Sequence, residues 1–394
     1  MKTVQIMEPM LIRADHDSYQ VLSEKAYDLA LQSAALGGDL PAGLILAVGD
    51  MVRVVDCYYS NLIEGRSMMP VDIDQALRQH FHNDPARLEL QEEALAHIKV
   101  QRWIDHGGME ELGFGVDGIK EVHRRFYEAM PKRLHWVHTP GTSEMHQVIP
   151  GEFRNHGVVV GNHVPCRPNE IIPLMDCWER FYSGLGKLAM VSALAAAHHR
   201  LVWIHPFTDG NGRVARLVTH AMMRYCMLGT DMWSASRGFG QSQTDYRRLL
   251  AACDQPQSND LDGHGQLNER SLVSFTQYFL ETSCDQVQRM SEALQVDSIV
   301  HQLMRWVHDR EKTYALPIEK LLRYVLVHGE VPRGKAQEVT GLPERSCRRV
   351  VKALLEKHEL MAAKSSRAPL KMHIPLRLAQ DLFPRLIPEN ILSL

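Results

Sequence analysis

Apolar residues recur along this chain at intervals of three and four over most of its length, the spacing that lays a single stripe along a helix. The pattern predicts helices over Tyr19–Leu36, Leu44–Ile63, Val71–His80, Ala86–His106, Val116–Ala129 and Asn169–Tyr182. It continues through Lys187–Ile204, Val214–Leu228, Gln241–Ala252 and Leu272–Leu294. Gly37-Gly38 and Gly107-Gly108 close two of these helices, and Pro85 opens another. The polar stretch Asp254–Glu269 reads as a loop. One segment leaves the helical period. Between Gly151 and Val164, two short β-rich runs flank Gly161-Asn162, a pair that turns at low steric cost, and a β-hairpin is expected. Pro165 and Pro168 end it. In a helical chain a lone hairpin is marginal unless it is docked. Toward the C-terminus the helices shorten, with expectations over Pro317–His328, Arg333–Val339 and Glu344–His358, then strands between Leu360-Met361 and Ile374.

Length and composition narrow the picture. With 394 residues, two or three domains with buried cores are expected. The divisions fall at 1–110, a helical N-terminal segment; 111–290, a helical core; and 297–394, the shorter helices and strands. A net charge of −3 argues against a generic polyanion binder. After Lys2 the apolar stretch is broken by Glu8 and Pro9, so no signal peptide is expected, and no apolar run is long enough for a membrane span. Seven scattered cysteines without a Cys-x-x-Cys pair fit a reducing cytoplasm and argue against structural zinc. No His-Glu-x-x-His, repeat or low-complexity tract occurs.

The richest chemistry lies between two helices, in His205-Pro206-Phe207-Thr208-Asp209-Gly210-Asn211-Gly212-Arg213-Val214-Ala215-Arg216. Gly210, Asn211 and Gly212 can turn successive backbone N–H groups to one side, and the loop runs into a helix N-terminus, where an anion is favoured. Arg213 and Arg216, three apart, share a helical face, and each can grip phosphate oxygens with two donors. Asp209 is a hard oxygen ligand suited to magnesium, and His205 can take a proton near neutral pH. Pro206 stops the preceding helix. Base, metal ligand, phosphate turn and arginines together suit attack by a hydroxyl on a phosphate ester.

These residues resemble the signature of the Fic family (filamentation induced by cAMP), His-Pro-Phe-x-Asp/Glu-Gly-Asn-Gly-Arg-x-x-Arg, at every fixed position. His198, upstream, falls where the family often has His, while Leu201 stands where an aromatic is commoner. The resemblance implies a mainly helical core with a β-hairpin flap that transfers AMP from ATP to a protein Ser, Thr or Tyr hydroxyl. It implies His205 as general base, Asp209 as ligand of Mg²⁺ (with Mn²⁺ an option), and Gly210, Asn211, Gly212 and Arg213 on the phosphates. Arg216 would reach the γ-phosphate, and Tyr246, in a Tyr-x-x-Leu helix similar to the family's, would border the adenosine.

Upstream, Ser60-Asn61-Leu62-Ile63-Glu64-Gly65 resembles the family's inhibitory pattern, Ser/Thr-x-x-x-Glu-Gly/Asn, in its N-terminal (class II-like) position. Ser60 and Glu64 are four apart on one helical face, and a carboxylate paired with Arg216 would occupy its donors. By the same resemblance residues 153–164 form the flap whose edge holds an extended protein target. The C-terminal pattern of three helices and a hairpin resembles a winged helix-turn-helix. From residue 331 onward there are 12 basic and 6 acidic side chains, and Arg345, Arg348, Arg349 and Lys352 line one side of its third helix, so DNA and protein contact are equal options. The expected activity is an adenylyltransferase inhibited by Glu64. The alternatives are a DNA-binding regulator whose Fic core only senses nucleotide, a de-AMPylase in which Glu64 positions water, and transfer of another phosphate-containing group. The intact His205 argues against the sensor, which needs no base. A homo-oligomer is left open.

Overall fold

A computed structural model describes residues 6–383 apart from 37, 39, 67, 139–142, 230, 258–265, 363, 364, 366 and 367. The molecule is mainly helical, as the periodicity predicts. The helices run Tyr19–Leu36, Ala42–Ile63, Pro70–Leu77, Pro85–Asp105, Gly108–Leu112, Val116–Glu128, Pro168–Tyr182, Lys187–Ile204 and Asn211–Tyr225. They continue Ala235–Gln241, Gln243–Ala252, Glu269–Ala293, Val296–Arg310, Ala315–His328, Ala336–Thr340, Glu344–Glu356 and Leu376–Leu382. The short Gly108–Leu112, Ala235–Gln241 and Leu376–Leu382 helices, and the longer Val296–Arg310, are additions to the expected set. Among the described residues no helix is long and apolar enough to cross a membrane.

The core forms around Lys187–Ile204, a helix buried nearly all round, packed on Asn211–Tyr225, Pro168–Tyr182, Tyr19–Leu36 and Glu269–Ala293. Its centre is lined with alanines, Ala193 and Ala195 to Ala197, which let neighbouring helices approach. Two buried polar side chains there reach the segment before the first helix. Arg200 donates to the Pro9 carbonyl at 2.7 Å, and the Tyr182 hydroxyl donates to the Met10 carbonyl at 2.8 Å, so residues before the first helix are tied over the core. The Ala42–Ile63 helix is buried along most of its length. It is anchored by the Arg53–Asp105 ion pair at 2.5 Å and by the Ser234 hydroxyl, which donates to Asp56 at 2.5 Å.

The expected hairpin is displaced. Residues 151–164 hold one isolated antiparallel bridge, Val160 with His163, around Gly161 at φ +59°. The regular hairpin lies earlier, where Trp136–His138 pairs antiparallel with Met145–Gln147. The reason is what holds the 151–164 backbone. Its polar groups turn to the buried Arg154 side chain and to the 204–206 backbone instead of to a second strand.

In the C-terminal part Leu360–Met361 pairs with Leu370–Met372, as expected. A third strand, Glu330–Val331, covers the other edge, so the sheet has three strands and not two. Of the four basic residues on Glu344–Glu356, Arg348 pairs with Glu344 and Lys352 with Glu356. All four lie exposed on one side of this helix, where Arg349 stacks on the Tyr314 ring and bonds its hydroxyl. The Ala315–His328 helix packs against Ala42–Ile63, and Gly43 makes this approach feasible: a Cβ there would collide with the Val325 and Leu326 carbonyls and with Gly329.

Candidate active site

The 205–216 segment joins the two central helices, and its shape follows from its own residues. His205 caps Lys187–Ile204 in a left-handed conformation, φ 50° and ψ 59°, and Pro206 excludes continuation of the helix through it. Asn211 then closes the loop on itself. Its side chain accepts from the Phe207 N–H and donates to the Phe207 carbonyl, both at 2.8 Å. The amide is thus spent on the backbone, and Asn211 can meet a ligand only through its own N–H. Gly210 sits at φ +79°, and the helix begins at Asn211, three residues before the expected Val214. Its first bond runs from Val214 N–H to Gly210 O, which leaves the N–H groups of Asn211, Gly212 and Arg213 without helical acceptors. That is an anion seat.

His205 Nδ1 faces the Val202 carbonyl at 3.3 Å. A carbonyl can only accept, so the proton belongs on Nδ1 and Nε2 presents its lone pair. Burial, reinforced by the Arg154 charge and opposed by the Val202 carbonyl, lowers the His205 pKa to about 4. The imidazole is therefore neutral at physiological pH. Asp209, with 36 % of its side chain exposed, accepts from the Tyr127 hydroxyl at 2.7 Å and from Arg213 at 3.0 Å through one oxygen. Among the described residues no three His, Cys, Asp or Glu side chains gather as a metal site. One carboxylate beside a phosphate seat still suits magnesium, which keeps waters and takes phosphate oxygens from substrate.

Glu64 closes the site from the far side. It caps Ala42–Ile63, Gly65 turns the chain away at φ +75°, and its Oε1 accepts from Arg216 Nη2 at 2.5 Å. Arg216 also donates to the Ser60 hydroxyl at 2.8 Å and the Ser60 carbonyl at 3.0 Å. Both residues of the upstream motif thus meet Arg216. The carboxylate lies so near the anion seat that a Cβ on Gly212 would collide with it. Burial works to raise the Glu64 pKa, but the Arg216 and Arg213 charges outweigh it, and the carboxyl is held below its ordinary value. Burial likewise works against charge on Arg216, and Glu64 reverses that, raising it. Arg213 points elsewhere. It pairs with the buried Glu93, which also binds Arg66 at 2.9 Å.

Tyr246 is buried and stacked on Phe239, with ring centroids 5.0 Å apart. Its hydroxyl bonds His198 Nε2 at 2.7 Å, His198 Nδ1 meets the Thr219 hydroxyl at 2.8 Å, and Thr219 donates to the Ala215 carbonyl at 2.8 Å. This chain braces the signature helix from behind. Tyr246 still forms part of the wall of a cavity of about 720 Å³ that also takes in Glu64, His205, Gly212, Arg216 and the 160–164 turn. The volume suits a nucleotide-sized ligand.

Three contributors escape sequence reasoning. Arg154, fully buried, donates to the carbonyls of His205 at 2.8 Å, His156 at 2.9 Å and Cys166 at 2.6 Å, and its own N–H donates to Pro206 O at 2.9 Å. It holds the backbone of His205 and Pro206. Gln243 donates to the Leu62 carbonyl at 2.7 Å, and Arg247 bonds the Ile63 carbonyl, so together they hold the end of the Glu64 helix. No local pattern marks any of them.

Residues 114–223 match the Fic/DOC family, a stretch that includes Tyr127, Arg154 and the whole 205–216 segment. Over 168 residues, 42 % of this chain, it is 29 % identical to "Protein adenylyltransferase Fic" of Drosophila erecta and 30 % identical to that of Drosophila persimilis. The match spans about a third of the length of those relatives, 31 % and 30 %. Among solved structures, a Fic family protein from Desulfovibrio desulfuricans G20 superimposes with a TM-score of 0.52 at 16 % identity, over 92 % of this chain and 98 % of that one. Fic-1 from C. elegans gives 0.54 at 17 %, over 71 % and 74 %. The fold is a Fic fold.

Proposed function

We propose that this chain is a protein adenylyltransferase that moves AMP from ATP to a Ser, Thr or Tyr hydroxyl of a protein target, and that Glu64 holds it in check. One observation carries the reading: the Glu64–Arg216 pair at 2.5 Å lies in the same cavity as the neutral His205 and Gly212, the middle residue of the 211–213 turn whose N–H groups lack helical acceptors. The relatives named as adenylyltransferases support the same chemistry.

The steps follow from the residues. The phosphates of ATP rest on the N–H groups of Asn211, Gly212 and Arg213, where the helix dipole favours negative charge. Arg216 takes the γ-phosphate once Glu64 has left it. Asp209 would hold Mg²⁺, whose charge would offset that of the phosphates. The target is held beside the 160–164 turn. Its hydroxyl gives a proton to His205 Nε2, the oxygen bonds to the α-phosphorus, and the bond to the β-phosphate oxygen breaks, releasing pyrophosphate. While Glu64 occupies Arg216, the γ-phosphate meets a carboxylate, and like charges keep productive ATP out.

Incubation of wild-type and Glu64→Gly protein with α-labelled ATP and magnesium tests this. Labelled protein should rise by at least about tenfold in the variant, since a lost charge-assisted bond corresponds to that factor or more. Equal labelling in both would remove the inhibitory role. Loss of labelling in the variant would make Glu64 part of the catalytic machinery.

A further inference from the structure

The turn that carries the inhibitory carboxylate has a second anchor. The Ala42–Ile63 helix ends at Glu64, Gly65 bends the chain at φ +75°, and Arg66 follows. Ile63 and Met68, on either side, are buried. Between them, among the described residues, two ion pairs hold the turn. Glu64 pairs with Arg216, and Arg66 Nη1 meets Glu93 Oε2 at 2.9 Å. Glu93 belongs to the Pro85–Asp105 helix, so the second pair ties the turn to a different element from the first.

This second pair differs from an ordinary surface salt bridge. The Arg66 side chain is 45 % exposed, whereas that of Glu93 is 4 % exposed. The arginine is thus the end that can leave, because it returns to water, while the carboxylate stays inside. Glu93 is also shared. Its other oxygen pairs with Arg213, whose Nη2 donates to Asp209 at 3.0 Å. Breaking a buried pair is costly mainly because it strands a charge, and here Arg213 keeps Glu93 compensated when Arg66 goes. Neither Arg66 nor Glu93 lines the catalytic cavity, so the pair does not itself occupy the place of a nucleotide.

We infer that Arg66 is a latch on the inhibitory turn: paired with Glu93, it keeps Glu64 on Arg216, and it lets go when Glu64 withdraws to admit ATP. Only Gly65 separates the two charged residues. The N–H groups of Glu64 and Arg66 both donate to the Asn61 carbonyl at 3.0 Å, so the turn moves as a unit and loss of one pair weakens the other. Arg66 acts through Glu64 and is a positioning residue. The inference rests on the adenylyltransferase reading with Glu64 as its inhibitor.

The test compares the full-length wild type with Arg66→Ala, Arg66→Lys, Glu64→Gly and the double change Glu64→Gly with Arg66→Ala. Labelling with α-labelled ATP and magnesium reads the restraint. Arg66→Ala should lower the KM for ATP by about three- to fivefold with kcat unchanged, because more molecules have Arg216 free. Arg66→Lys, which keeps the charge, should recover most of the restraint. In the Glu64→Gly background nothing is left to restrain, and adding Arg66→Ala should change the rate by less than about twofold. Amide hydrogen exchange reads the latch itself, independently of activity. The N–H groups of Glu64 and Gly65, bonded at 3.0 Å to the Asn61 and Leu62 carbonyls, should exchange about threefold faster in Arg66→Ala. Unchanged exchange at both overturns the latch. Faster exchange with an unchanged KM, in a chain that Glu64→Gly activates, overturns it too and leaves a structural tie. So does an equal gain in both backgrounds, which would put Arg66 in the reaction itself. If Glu64→Gly labels no better than wild type while exchange still quickens in Arg66→Ala, the inhibitory reading fails and the tie between the turn and Glu93 holds.

Discussion

His205 illustrates how burial sets the charge state of a single residue. With a pKa lowered to about 4, it is a free base over the whole neutral range. The acid limb of kcat/KM should then lie near pH 4 and not near 6.5, the value of an unperturbed imidazole. Transfer by a Glu64→Gly enzyme at pH 5.5 should stay within a few-fold of that at 7.5, and a tenfold fall over that interval would contradict the assignment. His205→Ala should keep ATP binding and lose roughly 10²- to 10⁴-fold in transfer rate, as general-base loss does. Asp209→Ala should abolish magnesium-dependent transfer. If the variant and a chelator both leave the rate unchanged, the carboxylate is not a metal ligand. In the resting protein this carboxylate is not idle, since Tyr127 and Arg213 both donate to it. Its removal should also loosen the loop.

Between elements, the 151–166 segment and the base loop act as one unit because Arg154 joins them. Three carbonyls and a charge depend on this one side chain. Arg154→Met should cost about 3 kcal/mol or more, from unsatisfied buried acceptors, and should lower transfer with it. Arg154→Lys keeps the charge but not the fork, so partial rescue of urea stability is expected, with a larger residual loss in rate. If Met and Lys behave alike in both measurements, charge and geometry are irrelevant and Arg154 only fills space. The Glu64 helix is held similarly at its end, by Gln243 and Arg247 from a helix 181 to 184 positions away in sequence. Any movement of Glu64 away from Arg216 would therefore strain contacts to the Gln243–Ala252 helix as well as break the ion pair.

For the whole molecule, the C-terminal module is seated on the helix that carries Ser60 and Glu64. Gly43 and Gly329 meet where Ala42–Ile63 and Ala315–His328 come together. Gly43→Val would set a side chain against backbone, which cannot yield as a flexible side chain can. A loss of about 3 kcal/mol, the upper part of the range for overpacking, is expected in denaturant unfolding. A variant as stable as the parent would mean that the module is not seated there.

The helical class, most helix spans and the make-up of the 205–216 loop were legible before any folding, because each depends on neighbours in the chain. Apolar spacing makes a stripe, proline stops a helix, and a glycine takes the turn that other residues resist. Even Val296–Arg310, passed over in the hydropathy reading, carries its signal in Ile299, Leu303, Trp306 and Val307. Ser60 and Glu64 were legible as a motif, but their partner was legible only through resemblance. Tertiary structure alone decided that Glu64 meets Arg216 across 152 residues, that Asn211 spends its amide on Phe207, and that Tyr246 is a buried brace. It also moved the regular hairpin to 136–147, because the 151–164 backbone found better partners in Arg154 and the base loop. Such choices depend on which distant donors and acceptors are brought together when water is excluded, and local spacing does not encode them.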